Sequence, residues 1–412
     1  MIGPVNHSPS VRRPPLWLAA AAVAAGWGAV YSIGRWIILF AFGPVHQDMR
    51  FTYVAAEAGL RYGWSTIYDA ATLHSLSTSF PSSQQYIGGS LTYINPPLLA
   101  WLFVPFTAVP EPVAYALWAV VSLASLVWAW HIAAPYTGLA KITLLLVALA
   151  LWPVLLAFYY GQPSMVLLLL VAVAWWLCAH DRPLAAGAAL ALATFLKPQV
   201  VALVPLALLV SGRYRPVLGW VLAGAVLGVA SIVTLGPAGL MGWWHALQAV
   251  QADPAHASNT LARVFGLGPL TYALWALQGA AALLVARWRR RELEVVFAAG
   301  ILGSAAVAFH FHEWDYTILV LAVWLVLRTS PSRGHRLWLV AGVLPMQLMT
   351  YGPAAAGLVL IGPQLVWDAV WLAILAAGGL SGSTRQATAS SPPPAAQTRS
   401  GHALSHRGTS SS

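Results

Sequence analysis

The chain has 412 residues, 59% of them hydrophobic and only 8% charged, with a mean hydropathy of +0.72. A soluble domain carries about 25% charged residues, so a chain this long and this apolar has lipid as its solvent over most of its length. The net charge of +10 does not point to nucleic acid, because the basic residues sit in short gaps between apolar runs and form no stripe. One cysteine, Cys178, excludes an internal disulfide and a multi-cysteine metal site. Two residues, Lys141 and Lys197, are the only lysines among 21 basic side chains, and the chain is rich in alanine. That usage hints at a GC-rich bacterial genome and hence at a bacterial cell membrane.

In chain order, residues 1–15 are polar and carry Arg12 and Arg13, and read as a disordered cytoplasmic leader. The first apolar run, Leu16 to Phe42, lacks a clear small-residue cleavage site and is expected to stay as a span. Residues 43–95 mix charges with aromatics and are expected to lie on the membrane surface as interfacial helices. Residues 96–110 are apolar but short for a crossing of roughly 20 residues, and contain Pro97 and Pro105, so they read as a partial or re-entrant helix. Apolar runs follow at 112–134, 141–159, 164–179, 183–196, 199–211 and 216–236. A second polar loop spans 237–268, and further runs cover 269–286, 293–309, 316–327, 337–349 and 364–380. The tail, 381–412, is rich in Ser, Pro, Ala and Thr and reads as disordered. The expectation is an all-α polytopic bundle of about 11–12 spans, one membrane-embedded domain over 16–380.

Cytoplasmic loops carry the excess of Lys and Arg. With the leader inside and 96–110 not crossing, all 21 basic residues except Arg35, Arg50, Arg61, Lys197 and Arg263 fall on the inner side. The same path places 43–95 and 237–268 outside, together with Asp48, Gln162, Lys197, His245, His310, His312 and Asp315.

A carboxylate at a membrane boundary is a functional candidate, and Asp48 occupies that place; a helix cap or an interfacial charge is the plain alternative. Candidate partners on the same face are Tyr93 and Asn95 before Pro96-Pro97, Gln162 after Tyr160-Gly161, and the block His310-Phe311-His312-Glu313-Trp314-Asp315. Lys197 is a lone cation between two apolar runs. Burying it without an anion is costly; a bound phosphate would satisfy it, and snorkelling to the headgroups is the alternative. The i, i+2 spacing of His310 and His312 does not place both on one helix face, which argues against zinc.

These blocks in this order resemble the polytopic glycosyltransferases of family 87, from about Gly43 to Arg336. The resemblance rests on Asp48 after the first span, Tyr68-Asp69, Tyr93 to Pro97, Tyr160-Gly161-Gln162 and Leu196-Lys197-Pro198. The family often has Tyr-Pro-Pro where this chain has Tyr93-Ile94-Asn95-Pro96-Pro97. The resemblance implies a C-type glycosyltransferase fold and an essential aspartate in the first extracytoplasmic loop. It further implies a sugar donor, usually mannose, on polyprenyl phosphate, and a lipid or glycolipid acceptor outside the cytoplasm. On that reading Asp48 is the general base. Lys197, His310 and His312 meet the leaving phosphate, and Gln162, Tyr93, Asn95, Asp69 and Arg50 contact substrate, with no cofactor or metal. A transporter or flippase is the rival reading, supported by broken helices and many spans; the sequence shows no internal repeat to match it.

Overall fold

The computed structural model describes residues 14–42, 47–78, 93–252, 259–349 and 358–389. The expectations for residues 1–13 and 390–412 lie outside these. Every regular element among the described residues is helical.

Among the described residues, nineteen α-helices carry the fold. The first half comprises α1 (Leu16–Phe42), α2 (Gln47–Tyr62), α3 (Ala70–Ser77), α4 (Pro97–Phe103), α5 (Glu111–Ala133), α6 (Gly138–Ala150), α7 (Trp152–Tyr159), α8 (Ser164–Ala179) and α9 (Pro183–Leu196). The second comprises α10 (Pro198–Val201), α11 (Leu203–Val210), α12 (Tyr214–Ala252), α13 (Leu261–Phe265), α14 (Pro269–Trp288), α15 (Leu293–Val307), α16 (Ile318–Arg328), α17 (Arg333–Ala341), α18 (Val343–Leu348) and α19 (Leu358–Ala389). Among the described residues, five segments are long and apolar enough to cross a membrane: Leu16–Leu39, Glu111–Ala133, Tyr214–Gln251, Pro269–Trp288 and Ile361–Gly378. The pair α6–α7, bent by 60°, makes a sixth if it is one span. Shorter apolar helices cover 97–108, 164–179, 183–196, 198–210 and 293–307.

The helix α1 lies outside and α15 inside. Leu16, Trp17, Trp27 and Val30 on α1 are exposed, as lipid-facing side chains should be, whereas α15 is buried over 295–306. With lipid as solvent, close packing of small residues holds such helices together. At the α9–α12 crossing, a methyl group at Gly187 would lie 2.0 Å from the Pro216 carbonyl oxygen. One at Gly219 would lie 2.2 Å from that of Leu184.

The structure differs from the sequence reading in several places; residues 381–389, expected to be disordered, continue α19. The 141–159 run breaks at Leu151, which is extended (ψ 137°) just before a helix that carries Pro153 in its first turn. More substantially, much of the expected loop 237–268 is helix. After a break at Gly236 (φ 60°, ψ −177°) and Pro237, α12 runs on to Ala252, and its second half packs on the 3₁₀ turn Trp64–Thr66. The Gly-Pro pair kinks this helix instead of ending it.

The bundle has two chemically distinct ends. At one, Arg328 donates to the Ala133 carbonyl, Lys141 to that of His131 and Arg213 to that of Arg290. At the other, where α7, α9 and α15 end and α8 and α16 begin, lie Asp48, Gln162, Lys197 and Asp315.

Candidate active site

Gln162 is placed by the end of α7. Gly161 takes a left-handed conformation (φ 63°), its N–H donates to Phe158 O at 3.1 Å, and the Gln162 N–H donates to Ala157 O at 2.8 Å. This pair of bonds is a Schellman motif, which needs glycine at that position. The turn is gripped from α5, where Trp118 Nε1 donates to Gly161 O (2.9 Å) and the Tyr115 hydroxyl to Phe158 O (2.8 Å). Asp48 then sits on the same turn, because the Met49 N–H donates to Tyr160 O at 3.0 Å.

Lys197 is placed by its proline. A residue before proline is pushed out of the helical region. Lys197 accordingly adopts φ −158°, ψ 84° between α9 and α10, with its N–H still bonded to Ala193 O. Its side chain is 5% exposed and does not snorkel. It also has an anion of its own: Lys197 Nζ lies 2.5 Å from Asp315 Oδ1, so the lysine needs no bound phosphate to be buried.

Asp315 lies on a 3₁₀ turn, Glu313–Thr317, and its Oδ2 accepts the His312 N–H at 3.0 Å. The rest of the chain of contacts follows directly. Lys197 Nζ donates to Gln162 Oε1 (3.1 Å), and Gln162 Nε2 donates to Asp48 Oδ2. Around them, the His310 and His312 rings lie 4.4 Å apart, His312 stacks on Trp314 at 4.4 Å, and Trp314 packs on Tyr160. Burial raises the Asp48 carboxyl to about 6, against the lowering effects of Lys197 and the Gln162 hydrogen bond, while Asp315 adds to the rise.

Five of the residues expected from the sequence therefore lie in one cluster: Asp48, Gln162, Lys197, His310 and His312. The others are held elsewhere. Arg50 makes a two-point ion pair with Glu111, Nε to Oε1 and Nη2 to Oε2, both 2.9 Å, and both side chains are buried. It pins α2 to α5 and points its charge at protein. Tyr93 is buried, stacks on Tyr68 and donates to Pro96 O; Asn95 offers its carbonyl oxygen to the Tyr68 hydroxyl at 2.8 Å. Trp243 stacks on Tyr68 and donates to Ile94 O. Asp69 caps α3, accepting from the Thr72 N–H (2.9 Å) and hydroxyl (2.6 Å), bonds that hold its carboxyl below the usual range. It also lines an open cleft of ≈ 560 Å³ with Ser65, Thr66, His245 and Ala249. Among the described residues, no group of three or more His, Cys, Asp or Glu is placed to hold a metal ion.

Sequence reasoning named Asp315 only as the end of the 310–315 block, without its partner, and left Glu111 out of the frame. The signal for both was electrostatic: each buried cation, Lys197 and Arg50, required an anion that the sequence did not locate.

The family model of glycosyltransferase family 87 matches residues 93–312, more than half of the chain. The chain belongs to glycosyltransferase family 87. Family membership makes it a membrane glycosyltransferase and sets aside the transporter reading. The family-87 match takes in Tyr93, Asn95, Gln162, Lys197, His310 and His312; Asp48, Arg50, Asp69 and Asp315 lie outside the matched residues. No curated protein and no solved structure matches the chain.

Proposed function

We propose that this glycosyltransferase moves mannose from a polyprenyl-phosphate carrier to a lipid-linked or glycolipid acceptor on the extracytoplasmic side of a bacterial cell membrane, with Asp48 as general base. The observation that carries the reading is the state of Asp48. One of its oxygens is held by the Gln162 amide, and burial brings its pKa to about 6. A base works best when its pKa lies near the operating pH. A carboxyl raised in this way is more basic than an exposed aspartate.

In the proposed step the acceptor hydroxyl oxygen bonds to the sugar's anomeric carbon as the bond from that carbon to the phosphate oxygen breaks. The hydroxyl proton passes to Asp48, and polyprenyl phosphate departs with the electron pair. An inverting displacement of this kind needs one carboxylate and no covalent nucleophile. Imidazoles at His310 and His312 are the donors suited to the phosphate oxygens as charge gathers there. The cleft lined by Asp69 and His245 supplies an acceptor and a donor for the hydroxyls of the acceptor headgroup.

The test is transfer from radiolabelled polyprenyl-phosphate-mannose by purified protein, wild type against Asp48→Asn. The expected loss is about a hundredfold or more, with donor binding retained. An Asp48→Asn protein that keeps most of its activity would pass the role of base to Asp315, Glu313 or Asp69.

A further inference from the structure

We propose that Lys197 is a positioning residue that acts on the base through Gln162, with Asp315 as its fixed counter-charge, and that it does not itself hold the donor phosphate. This rests on the reading of Asp48 as the base.

The argument begins with donors and acceptors. An ammonium group donates and cannot accept. The side-chain atom that Gln162 turns toward Lys197 must therefore be its oxygen, as found at 3.1 Å. A primary amide carries its oxygen and nitrogen on opposite sides, so fixing the oxygen on Lys197 aims the nitrogen at Asp48. Without the lysine the amide is free to turn over and bring its oxygen against the carboxylate, which repels it. Gln162 is 7% exposed and rooted in the Schellman turn, so the amide has little other freedom. Lys197 thereby makes the group that faces Asp48 Oδ2 a donor, which holds the carboxylate in place and favours its ionised form.

Asp315 completes the device. It is 1% exposed, with one oxygen on Lys197 and the other on the His312 N–H, so the same carboxylate sets the lysine and the start of the histidine block. Lys197 Nζ further lies 5.9 Å from the Trp314 ring centre. An ammonium engaged by a carboxylate, an amide oxygen and a ring has little left to offer a phosphate. The other charged groups near Asp48 are accounted for on their own elements. Arg50, two residues along α2, is paired with Glu111 from α5, and Glu57 with Arg61. Glu313, His310 and His312 belong to the Asp315 segment, and Tyr159 and Tyr160 to the end of α7.

The arrangement predicts opposite effects from removing the two charges. Lys197→Met takes away the cation and the amide lock that favour ionised Asp48, so its pKa rises. Asp315→Asn keeps an acceptor for the His312 N–H but removes the carboxylate that disfavours a second one, so the Asp48 pKa falls. A neighbouring charge moves a carboxyl by about one unit or more. The acid limb of the pH–rate profile, with polyprenyl-phosphate-mannose as donor, should therefore move up by about one unit in Lys197→Met and down by a similar amount in Asp315→Asn. The maximal rate of Lys197→Met should fall at least about tenfold with the donor KM changed less than about threefold, and Lys197→Arg should restore part of the rate.

The same titration is readable without substrate. The infrared carboxyl band lost in Asp48→Asn is followed against pH in detergent-solubilised wild type, Lys197→Met and Asp315→Asn, which also serves if a variant is inactive. Opposite displacements of the band midpoint support the proposal. Unmoved midpoints, displacements of the same sign, or a donor KM that rises in Lys197→Met while the maximal rate holds would overturn it. Activity surviving Asp48→Asn would overturn the base reading instead, and the infrared midpoints would still judge the link from Lys197 to Asp48.

Discussion

Replacing Gly161 by alanine perturbs the turn on which both Asp48 and Gln162 are placed, and the structure allows the cost to be worked out. Gly161 has φ 63°, a conformation that costs an L-residue roughly 1–2 kcal/mol. A methyl group there would lie 2.5 Å from Met49 Cβ and 3.1 Å from its Cγ, too close to be absorbed in place. Overpacking of this kind costs about 1–3 kcal/mol. The sum, about 2–5 kcal/mol, is a large part of a typical folding free energy of about 5–15 kcal/mol. Relief by movement is no safer for function. Met49 is fully buried and its N–H is bonded to Tyr160 O, so α2 would slide away from Gln162 with Asp48 on it. Misplacement of a reacting group by about 1 Å costs on the order of a hundredfold in rate. The assay pairs thermal unfolding in detergent with kcat. Gly138→Ala is the control, since Gly138 also has positive φ (58°) but open space around its Cβ. It should cost only the roughly 1–2 kcal/mol of the conformation and leave kcat alone. If Gly161→Ala matched Gly138→Ala in both readings, the turn would not be what positions Asp48.

Arg50→Ala leaves Glu111 buried and unpaired, so it should lower stability by about 3–5 kcal/mol in denaturant or thermal unfolding. If Arg50 met substrate instead, stability would hold and only KM would change. Asp69→Asn with His245→Ala should raise the acceptor KM several-fold while the donor KM and the pH profile stay put; unchanged acceptor dependence would remove the cleft from the pathway. In whole cells on a Cys178→Ser background, a cysteine at exposed Ser75 should react with an impermeant thiol reagent and one at exposed Ser332 should not. The reverse pattern would invert the topology and put the site in the cytoplasm.

The fold was readable where punctuation coincides with a change of solvent. Runs expected at 164–179 and 183–196 are α8 and α9 to the residue, because Gly161-Gln162-Pro163, Asp181-Arg182-Pro183 and Lys197-Pro198 each combine a polar group with a helix-breaking one. The partial helix expected over 96–110 is α4 with the 3₁₀ turn Val104–Ala108, as Pro97 and Pro105 dictate. Reading failed where the same letters serve a helix that continues. Gly236-Pro237 followed by Trp243, Trp244 and His245 looks like a loop. Yet the proline sits just past the break, where its missing N–H costs no helical bond. Trp243 lies half-buried on the helix face turned to Tyr68, and Trp244 and His245 are exposed on the same helix.

The site divides along a similar line. Gln162 and Asp48 were legible because each stands beside an element end, where polar side chains are tolerated and reactive groups are reachable. The Lys197–Asp315 pair was not, since 118 positions and the helices α10 to α15 separate its halves and nothing local to either names the other. What the sequence does carry is a constraint. A lysine between two apolar runs must find an anion or reach water, and an aspartate beside Glu-Trp must find a cation or lose its charge. Each residue alone suggests a ligand, and a phosphate is the natural guess for the lysine. Taken together they satisfy one another, and Asp48 is linked to the lysine through Gln162. The nearest partner of Asp48 is a neutral amide whose direction the pair sets, and that is the arrangement a base requires: a carboxylate held in place without being neutralised.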